Sequence, residues 1–195
     1  MIILKHLKRS RGFTLIEVLI ASSISIITIS MIYMIFAAGN DLWETKRYQA
    51  DLQAQGRLAM NRMVAELRQT TRTSAQNPSP DLKIPSKPNN KDVSFYLPID
   101  KDGNGLITDV DGNIEWETNN KIQYHYIPGQ KQLVRLEKGD KTTLANDVSD
   151  VQFIDNSIDG KLYLNEVKIV LTLFITTPRQ RTISMTFTSV VKVRN

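Results

Sequence analysis

The feature that most constrains this chain is an apolar run near its N-terminus. From Phe13 to Ala38, 26 residues contain a single charge, that of Glu17. At 1.5 Å per residue, a helix of this length extends about 39 Å, which exceeds the roughly 30 Å hydrocarbon core of a bilayer. We therefore predict that residues 13–38 form a transmembrane helix.

A short basic leader, residues 1–12, precedes the run. It contains no acid and four basic residues: Lys5, Lys8, Arg9 and Arg11. Positive charges next to a membrane helix stay in the cytoplasm, so we expect a single pass through the cytoplasmic (inner) membrane with the N-terminus inside. An ordinary secretory signal has a shorter apolar core and small residues after it, whereas here the small residue, Gly12, comes first. A cleavage at Gly12 would lie on the cytoplasmic side.

This junction resembles the N-terminus of type IV prepilins and type II secretion pseudopilins. The resemblance rests on the basic leader, Gly12, Phe13 and the run Thr14-Leu15-Ile16-Glu17-Val18-Leu19-Ile20-Ala21. It implies that a prepilin peptidase cleaves between Gly12 and Phe13 and removes the leader. It also implies that the new Phe13 amine is N-methylated and that residues 13–38 are retained as the core helix of a filament.

Glu17 requires an explanation, because an acid inside a bilayer costs about 2.5 kcal/mol or more and usually marks a functional contact. It lies one helical turn after Phe13, so its carboxylate can neutralise the amine created by cleavage, in its own chain or in a neighbour. In the family this residue is linked to methylation and docking, which implies an assembly role for Glu17. The alternative is a Glu near the membrane edge that extends to the headgroups.

The charge balance of the whole chain reflects the leader. There are 25 basic and 20 acidic residues, giving a net charge of +5. Without the four leader cations, 21 basic residues face 20 acids, so the mature charge is about +1. A local basic patch remains possible from three arginines, Arg62, Arg68 and Arg72, and the alternative is that they lie on a solvated helical face. With a mature charge this close to zero, we expect no nucleic acid as a partner. Cysteine is absent, which excludes a disulfide framework and a thiol nucleophile.

Residues 39–74 are predicted to continue the helix outside the membrane as an amphipathic half, ending near Thr70. Their apolar residues follow the spacing of one helical face: Leu52, Gly56, Ala59, Met60, Met63 and Leu67. The opposite face, with Asp51, Arg57, Arg62, Glu66 and Gln69, is interpreted as a solvated surface.

Residues 75–91 are rich in proline and are predicted to form a loop, and residues 92–195 are predicted to form an antiparallel β domain. The candidate strands are Val93–Leu97, Gly105–Val110, Ile114–Glu117, Lys121–Ile127, Gln132–Glu137, Val148–Ile154, Glu166–Thr176 and Arg181–Val193, the last two forming a long hairpin. The predicted class is α+β and pilin-like, with a long N-terminal helix packed on an antiparallel sheet. This order resembles the larger minor pseudopilins, most of all those of the J type.

One motif in the β domain, residues 100–111, matches the twelve-residue calcium loop. Its predicted ligands are Asp100, Asp102, Asn104, the Leu106 carbonyl, Thr108 and Asp111. Two departures from the pattern are an Asp in place of Glu at the twelfth position and predicted strands in place of flanking helices. The alternative is a solvated hairpin turn, which the same composition also forms. We expect any bound calcium to be structural.

The leading hypothesis is a minor pilin or pseudopilin, a structural subunit at or near the tip of a type IV filament used for secretion, motility or DNA uptake. The resemblance implies as partners other minor and major pilins, the prepilin peptidase and the inner-membrane assembly platform, with the β domain periplasmic or extracellular. A second hypothesis is a membrane-anchored calcium-dependent binding module, such as an adhesin or a receptor for exported protein. No catalytic motif surrounds His125, Glu115 or Glu117, and we expect no enzymatic activity.

Overall fold

The computed structural model describes residues 12–71, 82–86, 89–117 and 119–194. Residues 1–11 of the leader, Arg72 of the predicted basic patch and residues 75–81, 87 and 88 of the proline-rich segment lie outside the described residues. The chain divides into two compact units, residues 1–46 and residues 47–195. One long helix and two antiparallel sheets make up the fold, which confirms the predicted α+β class.

Helix α1, Leu15–Gln69, begins within two residues of the predicted start and ends one residue before the predicted end. Its part in the first unit is exposed over residues 15–38, and it is the one helix among the described residues that is long and apolar enough to cross a membrane. The hydroxyls of Ser23, Ser25, Thr28 and Ser30 each donate to the carbonyl four residues earlier, at 2.8–2.9 Å. These bonds satisfy the hydroxyls inside the helix, so the segment presents a nearly unbroken apolar surface that requires lipid or other subunits to cover it.

In the second unit, α1 has one buried face. Its buried residues are the six that were predicted: Leu52, Gly56, Ala59, Met60, Met63 and Leu67. A helix with one apolar stripe packs that stripe on a neighbour, and here the stripe belongs to a core shared with both sheets.

The first sheet has four strands in the order β1-β2-β3-β4. Their bounds are Val93–Phe95, Ile122–Ile127, Gln132–Glu137 and Asp140–Ala145. A two-residue turn joins β3 to β4, and both of its residues, Lys138 (φ 51°) and Gly139 (φ 90°), have positive φ, as a type I′ hairpin turn requires.

The second sheet has three strands in the order β5-β6-β7, with bounds Val148–Asp155, Glu166–Thr176 and Thr182–Lys192. The predicted hairpin at the end of the chain is confirmed: β6 and β7 pair in register over their whole length, from Glu166 opposite Lys192 to Thr176 opposite Thr182. Alternate β6 residues are buried, as expected for a strand with one face on the core.

Three details of the predicted β domain were wrong. The strands are divided between two sheets where one was expected. Gly105–Val110 and Ile114–Glu117 are not strands, because residues 98–117 form a loop with only isolated bridges, Pro98 to Trp116 and Thr108 to Ile114. Strand β4 was missed, since its sequence Asp-Lys-Thr-Thr-Leu-Ala is too polar to stand out, although the Lys138-Gly139 turn before it is a hairpin signal.

An aromatic cluster joins the two sheets at the centre of the core. The Tyr124 ring of β2 lies 5.3 Å from Phe95 of β1 and 6.2 Å from Phe153 of β5, centroid to centroid. All three rings are fully buried. Edge-to-face and stacked rings at these distances stabilise the core beyond their burial alone.

Gly56, on the buried stripe of α1, lies against Phe187 of β7. A Cβ atom added there would lie 2.1 Å from Cε2 of Phe187. Glycine is therefore required at this position by the space that the Phe187 ring occupies, and any side chain would displace that ring.

Gly56→Ala is expected to lower the free energy of unfolding by about 1–3 kcal/mol, because the methyl group overpacks the contact with Phe187. The measurement is urea unfolding of the full chain in detergent micelles, followed by Trp116 fluorescence in a Trp43→Phe background. Gly39→Ala is the matched control, since nothing lies within 4 Å of a Cβ at that helical position. The contact would be disproved if both alanine variants were equally stable, and Phe187→Leu should restore part of the loss in Gly56→Ala.

Candidate functional site

The junction between leader and helix lies outside regular structure. Gly12, Phe13 and Thr14 have no assigned secondary structure, and α1 begins at Leu15. Phe13 is 87% exposed. A peptide bond outside a helix keeps its N–H and C=O groups free of helical hydrogen bonds, so the bond between Gly12 and Phe13 is available to a protease that binds an extended chain.

Glu17 and Thr14 form a capping box at the start of α1. One Glu17 oxygen, Oε2, accepts hydrogen bonds from the Thr14 backbone N–H and hydroxyl, both at 2.9 Å, and the Glu17 N–H donates to the Thr14 hydroxyl at 3.3 Å. This reciprocal pair satisfies donors that a helix start leaves open. The carboxylate is thereby turned back toward residue 14, next to the residue whose nitrogen becomes the amine on cleavage at Gly12.

This region of the chain matches a known protein family. Residues 7–33 fit the family described as the prokaryotic N-terminal methylation motif. The matched residues give the chain a prepilin-like N-terminus. The motif implies processing by prepilin peptidase and assembly with other pilins. The apolar helix and the motif together are consistent with membrane anchoring. No curated protein and no solved structure matches the chain.

Residues 100–105 form a turn, here called the Asp100 loop, that is built around the carboxylate of Asp100. Oδ1 of Asp100 accepts the N–H groups of Gly103 at 2.7 Å and Asn104 at 3.1 Å, and Oδ2 accepts that of Gly105 at 2.8 Å. Both glycines have positive φ, 75° and 82°, a conformation that favours glycine. The carboxylate therefore organises the turn by itself.

The predicted calcium ligands fall into two groups. The carboxylate oxygens of Asp100 and Asp102 lie within 4.8 Å of each other and of a Glu115 oxygen, and among the described residues these three form the acidic group that suits a metal ion. Glu115 also accepts the Lys101 N–H at 2.7 Å. Asp111 is not in this group.

Asn104 and the residues after it make other contacts. The Asn104 side chain donates to Asp102 at 2.8 Å and to the Thr108 carbonyl at 3.3 Å, while its Oδ1 accepts the Leu106 N–H at 2.7 Å. Asp111 lies in a separate turn, where its N–H donates to Asp109 at 3.0 Å. The loop follows the first half of the calcium pattern and departs from its second half. Ile107, which lies in the predicted strand Gly105–Val110, is exposed.

Asp109 organises the turn that contains Asp111. The Asn113 N–H donates to the Asp109 carboxylate at 2.8 Å, and this bond lowers the pKa of Asp109. No signal in the linear motif indicated that the loop contains two independently capped turns. The proximity of Glu115 could have been found only from the bridges between residues 98 and 116 and between 108 and 114.

A buried ionic network ties α1 to the four-stranded sheet. Arg135 of β3 donates through Nε to Glu66 of α1 at 2.9 Å and through a terminal nitrogen to Glu137. Tyr124 of β2 donates its hydroxyl to the same Glu66 oxygen at 2.7 Å, and Arg62 pairs with the other oxygen at 3.1 Å. The side chains of Arg135 and Glu66 are only 7% and 13% exposed, so the expectation that Glu66 is solvated was wrong.

A second layer of polar side chains surrounds Glu137. Asn120 donates to Glu137 at 2.8 Å and to Glu117 at 3.0 Å, and Glu117 pairs with Lys138 at 2.6 Å. Asn120 is buried, and its Oδ1 has no hydrogen-bond partner among the described residues. Sequence reasoning missed this network because its members are far apart in the chain.

The contacts in this network change the pKa values of Tyr124, Arg135 and Glu137. Burial raises the pKa of Tyr124, and the adjacent Glu66 carboxylate reinforces the shift. Burial alone would lower the pKa of Arg135, but its hydrogen bonds to Glu137 and Glu66 outweigh that effect and raise it. The hydrogen bond from Arg135, aided by Asn120, lowers the pKa of Glu137 below its usual 4.5. These groups remain a phenol, a guanidinium and a carboxylate at neutral pH.

His125 has a structural partner. Its Nδ1 lies 2.9 Å from Oδ1 of Asp92, and the side chain of His125 is partly exposed. Asp92 also accepts the Tyr126 N–H at 3.2 Å. The histidine therefore takes part in fixing the start of β1 against β2.

The lowered pKa of Glu137 predicts an acid-sensitive contribution to stability. Its folded pKa lies below its unfolded value, so the contribution is complete above about pH 4.5 and is lost as the pH falls through the folded pKa. Glu137→Gln should therefore lower the free energy of unfolding by about 0.5–1 kcal/mol at pH 7, a range typical of partly exposed pairs, and by less at pH 3.

The measurement is urea unfolding of the full chain in micelles at pH 7, 5, 4 and 3. Asp140→Asn, in the same hairpin, controls for removing an exposed carboxylate. A difference between wild type and Glu137→Gln that stays constant from pH 7 to pH 3 would contradict the assignment.

Proposed function

We propose that this chain is a minor pilin or pseudopilin, a structural and non-enzymatic subunit at or near the tip of a type IV filament. The observation that carries the proposal is the prepilin junction: a non-helical Gly12–Phe13 bond followed directly by a helix whose first turn holds Glu17. The architecture of one long helix and an antiparallel β domain supports it, and its order resembles minor pseudopilins of the J type.

The proposed topology follows from the charges. The basic leader stays in the cytoplasm, residues 13–38 cross the inner membrane once, and the β domain lies in the periplasm or outside the cell. After cleavage and methylation at Phe13, the helix leaves the membrane and packs against other minor and major pilins, with the assembly platform driving this transfer. Filaments for secretion, motility and DNA uptake all use such an N-terminus.

A subunit with Glu17 is suited to a place beneath another subunit. In hydrocarbon, a lone carboxylate and a lone ammonium are each costly, and pairing them relieves both. The Glu17 carboxylate of one chain and the Phe13 amine of its neighbour can form that pair. The contact can form only after the leader has been removed.

Processing is tested with the full chain co-expressed with a prepilin peptidase and its filament system. Intact mass and N-terminal sequencing should show a chain that starts at Phe13 and carries one methyl group. Gly12→Asp should retain the leader, because a bulky charged side chain replaces the small residue at the cut. A wild-type chain that keeps residues 1–12 would refute the assigned cleavage site.

Assembly is tested in the same cells with Glu17→Gln. Glutamine keeps an oxygen that accepts the Thr14 bonds but removes the negative charge, so we expect cleavage to continue while the amount of this subunit in sheared filaments falls about tenfold or more. Thr14→Ser, which keeps the hydroxyl, is the matched control. Normal incorporation of the Glu17→Gln chain would show that the charge does not act in docking.

We further propose that the Asp100 loop binds one calcium ion with a structural role. Three hard oxygen donors, from Asp100, Asp102 and Glu115, lie within 4.8 Å of one another. Carboxylates so close repel each other, and a divalent cation with oxygen ligands relieves that repulsion. When bound, the ion would hold residues 100–102 against residue 115, and the chemistry it supplies is electrostatic.

Calcium binding is tested by thermal unfolding of the full chain in micelles, with chelator and then with graded calcium. A melting temperature that rises with calcium shows binding to the native state. We expect the rise to disappear in Asp102→Asn and in Glu115→Gln and to persist in Asp111→Asn. The opposite dependence, on Asp111 and not on Glu115, would favour the linear twelve-residue loop. No rise at millimolar calcium in wild type would refute the site.

A further inference from the structure

The four edge strands of the two sheets differ in how they are protected. Unpaired N–H and C=O groups on an edge invite pairing with another chain, and proteins usually block them with charges, proline, bulges, short strands or covering segments. Strand β1 is only three residues long, and a bridge between Lys83 and Ser94 covers it. Strand β4 begins with two charges, Asp140 and Lys141, and its pairing with β3 is shifted by a bulge.

Strand β5 is protected in several ways. Its pairing with β6 is irregular between Val148 and Asp150, and Asp150 forms an ion pair with Lys91 at 2.9 Å. In addition, the Phe153 N–H donates to the Asn90 carbonyl at 2.8 Å, so a neighbouring segment occupies part of this edge.

Strand β7 has none of these protections among the described residues. It is 11 residues long, pairs with β6 without a register shift, and has no charge, proline or glycine from Thr182 to Val191. Its other side pairs with no strand of the described chain. One face, including Phe187, packs on the core, while the alternate residues are exposed: Thr182, Ser184, Thr186, Thr188, Val190 and Lys192.

The free edge ends in a positively charged cleft. The Arg194 N–H donates to the Thr70 carbonyl at 2.9 Å, so the end of α1 closes the edge just after Lys192. Arg68, Lys192 and Arg194 line a cleft of about 610 Å³ there, and no carboxylate is among its described lining side chains. None of these three cations forms an ion pair with a described residue.

We propose that the free edge of β7 accepts an extended segment of another protein, which adds an antiparallel strand to the three-stranded sheet. The segment is uncharged over about ten residues, to match Thr182–Val191, and acidic at its N-terminal end. Antiparallel pairing places that end beside Lys192, where its carboxylates meet the cationic cleft. This surface goes beyond the proposed filament role and does not depend on calcium or on processing.

Charge argues against a second copy of β7 as the occupant. No acid occurs between Arg179 and Arg194. Antiparallel pairing of two β7 strands would place Lys192 and Arg194 of one copy beside Arg179 and Arg181 of the other, at both ends of the contact. Like charges across strands are destabilising, whereas an acidic end on the partner is stabilising.

The test uses the full chain in detergent micelles and a labelled twelve-residue peptide with two Asp followed by ten alternating Thr and Val. Fluorescence anisotropy should show about tenfold tighter binding than for the same peptide with two Lys at its N-terminus, as two surface ion pairs allow. Lys192→Glu/Arg194→Glu, both exposed, should reverse that preference. Equal binding of the acidic and basic peptides would overturn the charge assignment.

Hydrogen exchange then locates the strand. The acidic peptide should slow amide exchange in β7 at least about threefold and leave β4, the other exposed hairpin edge, unchanged. A peptide N-methylated at every Thr and Val should leave amide exchange in both strands unchanged. Absence of protection in β7, or equal protection in β4, would overturn the proposal. Protection of β7 that increases with chain concentration without peptide would identify a second copy as the occupant and would also overturn it.

Discussion

The fold depends on a change of pattern within one helix. Up to residue 38, apolar side chains surround α1 on every side, and the hydroxyls among them are bonded to the helix itself. From Leu52 onward, the apolar residues occupy one face only, and that face is buried. The part that is apolar on every side is stable in apolar surroundings. The part that is apolar on one face is stable with that face packed on a neighbour and the opposite face in water. A helix with both patterns is suited to a chain that is anchored in an apolar phase and carries a water-soluble domain.

The second unit fixes that helix by close packing and by a buried ionic network. At Gly56, only the absence of a side chain leaves room for Phe187, which sets the distance between helix and sheet. At Glu66, Arg135 and Tyr124 hold one oxygen in a site with little water. Apolar packing tolerates small shifts, but a buried charge that loses its partner costs several kcal/mol, so the ionic contact also selects the register of α1 on β3.

Structural features that depend on a local periodic pattern of apolar residues could be predicted from the sequence. The six buried helix residues and strands β3 and β6 were found at the right positions, because one-sided burial leaves a regular pattern. Contacts between residues that are far apart in the chain were not predicted. Glu66 lies on the polar side of the helical pattern, and only the fold brings Arg135 over it. Likewise, Ile107 and Ile114 suggested strands, but the Asp100-capped turn before them and the Asp109-capped turn between them outcompete strand pairing.

In the proposed role, Glu17 would interact with different groups before and after cleavage. In the precursor, both hydrogen bonds to its Oε2 come from Thr14, so the carboxylate is satisfied within its own chain. The proposed cleavage at Gly12 would create a stronger partner, because an ammonium pairs with a carboxylate by charge as well as by hydrogen bonding. The donors in the capping bonds are uncharged and belong to the same turn, so exchanging one of them for an ammonium would pair the carboxylate with an opposite charge in hydrocarbon. In the proposed role, the carboxylate is therefore positioned by Thr14 before cleavage, and removal of the leader would supply the ammonium with which it pairs.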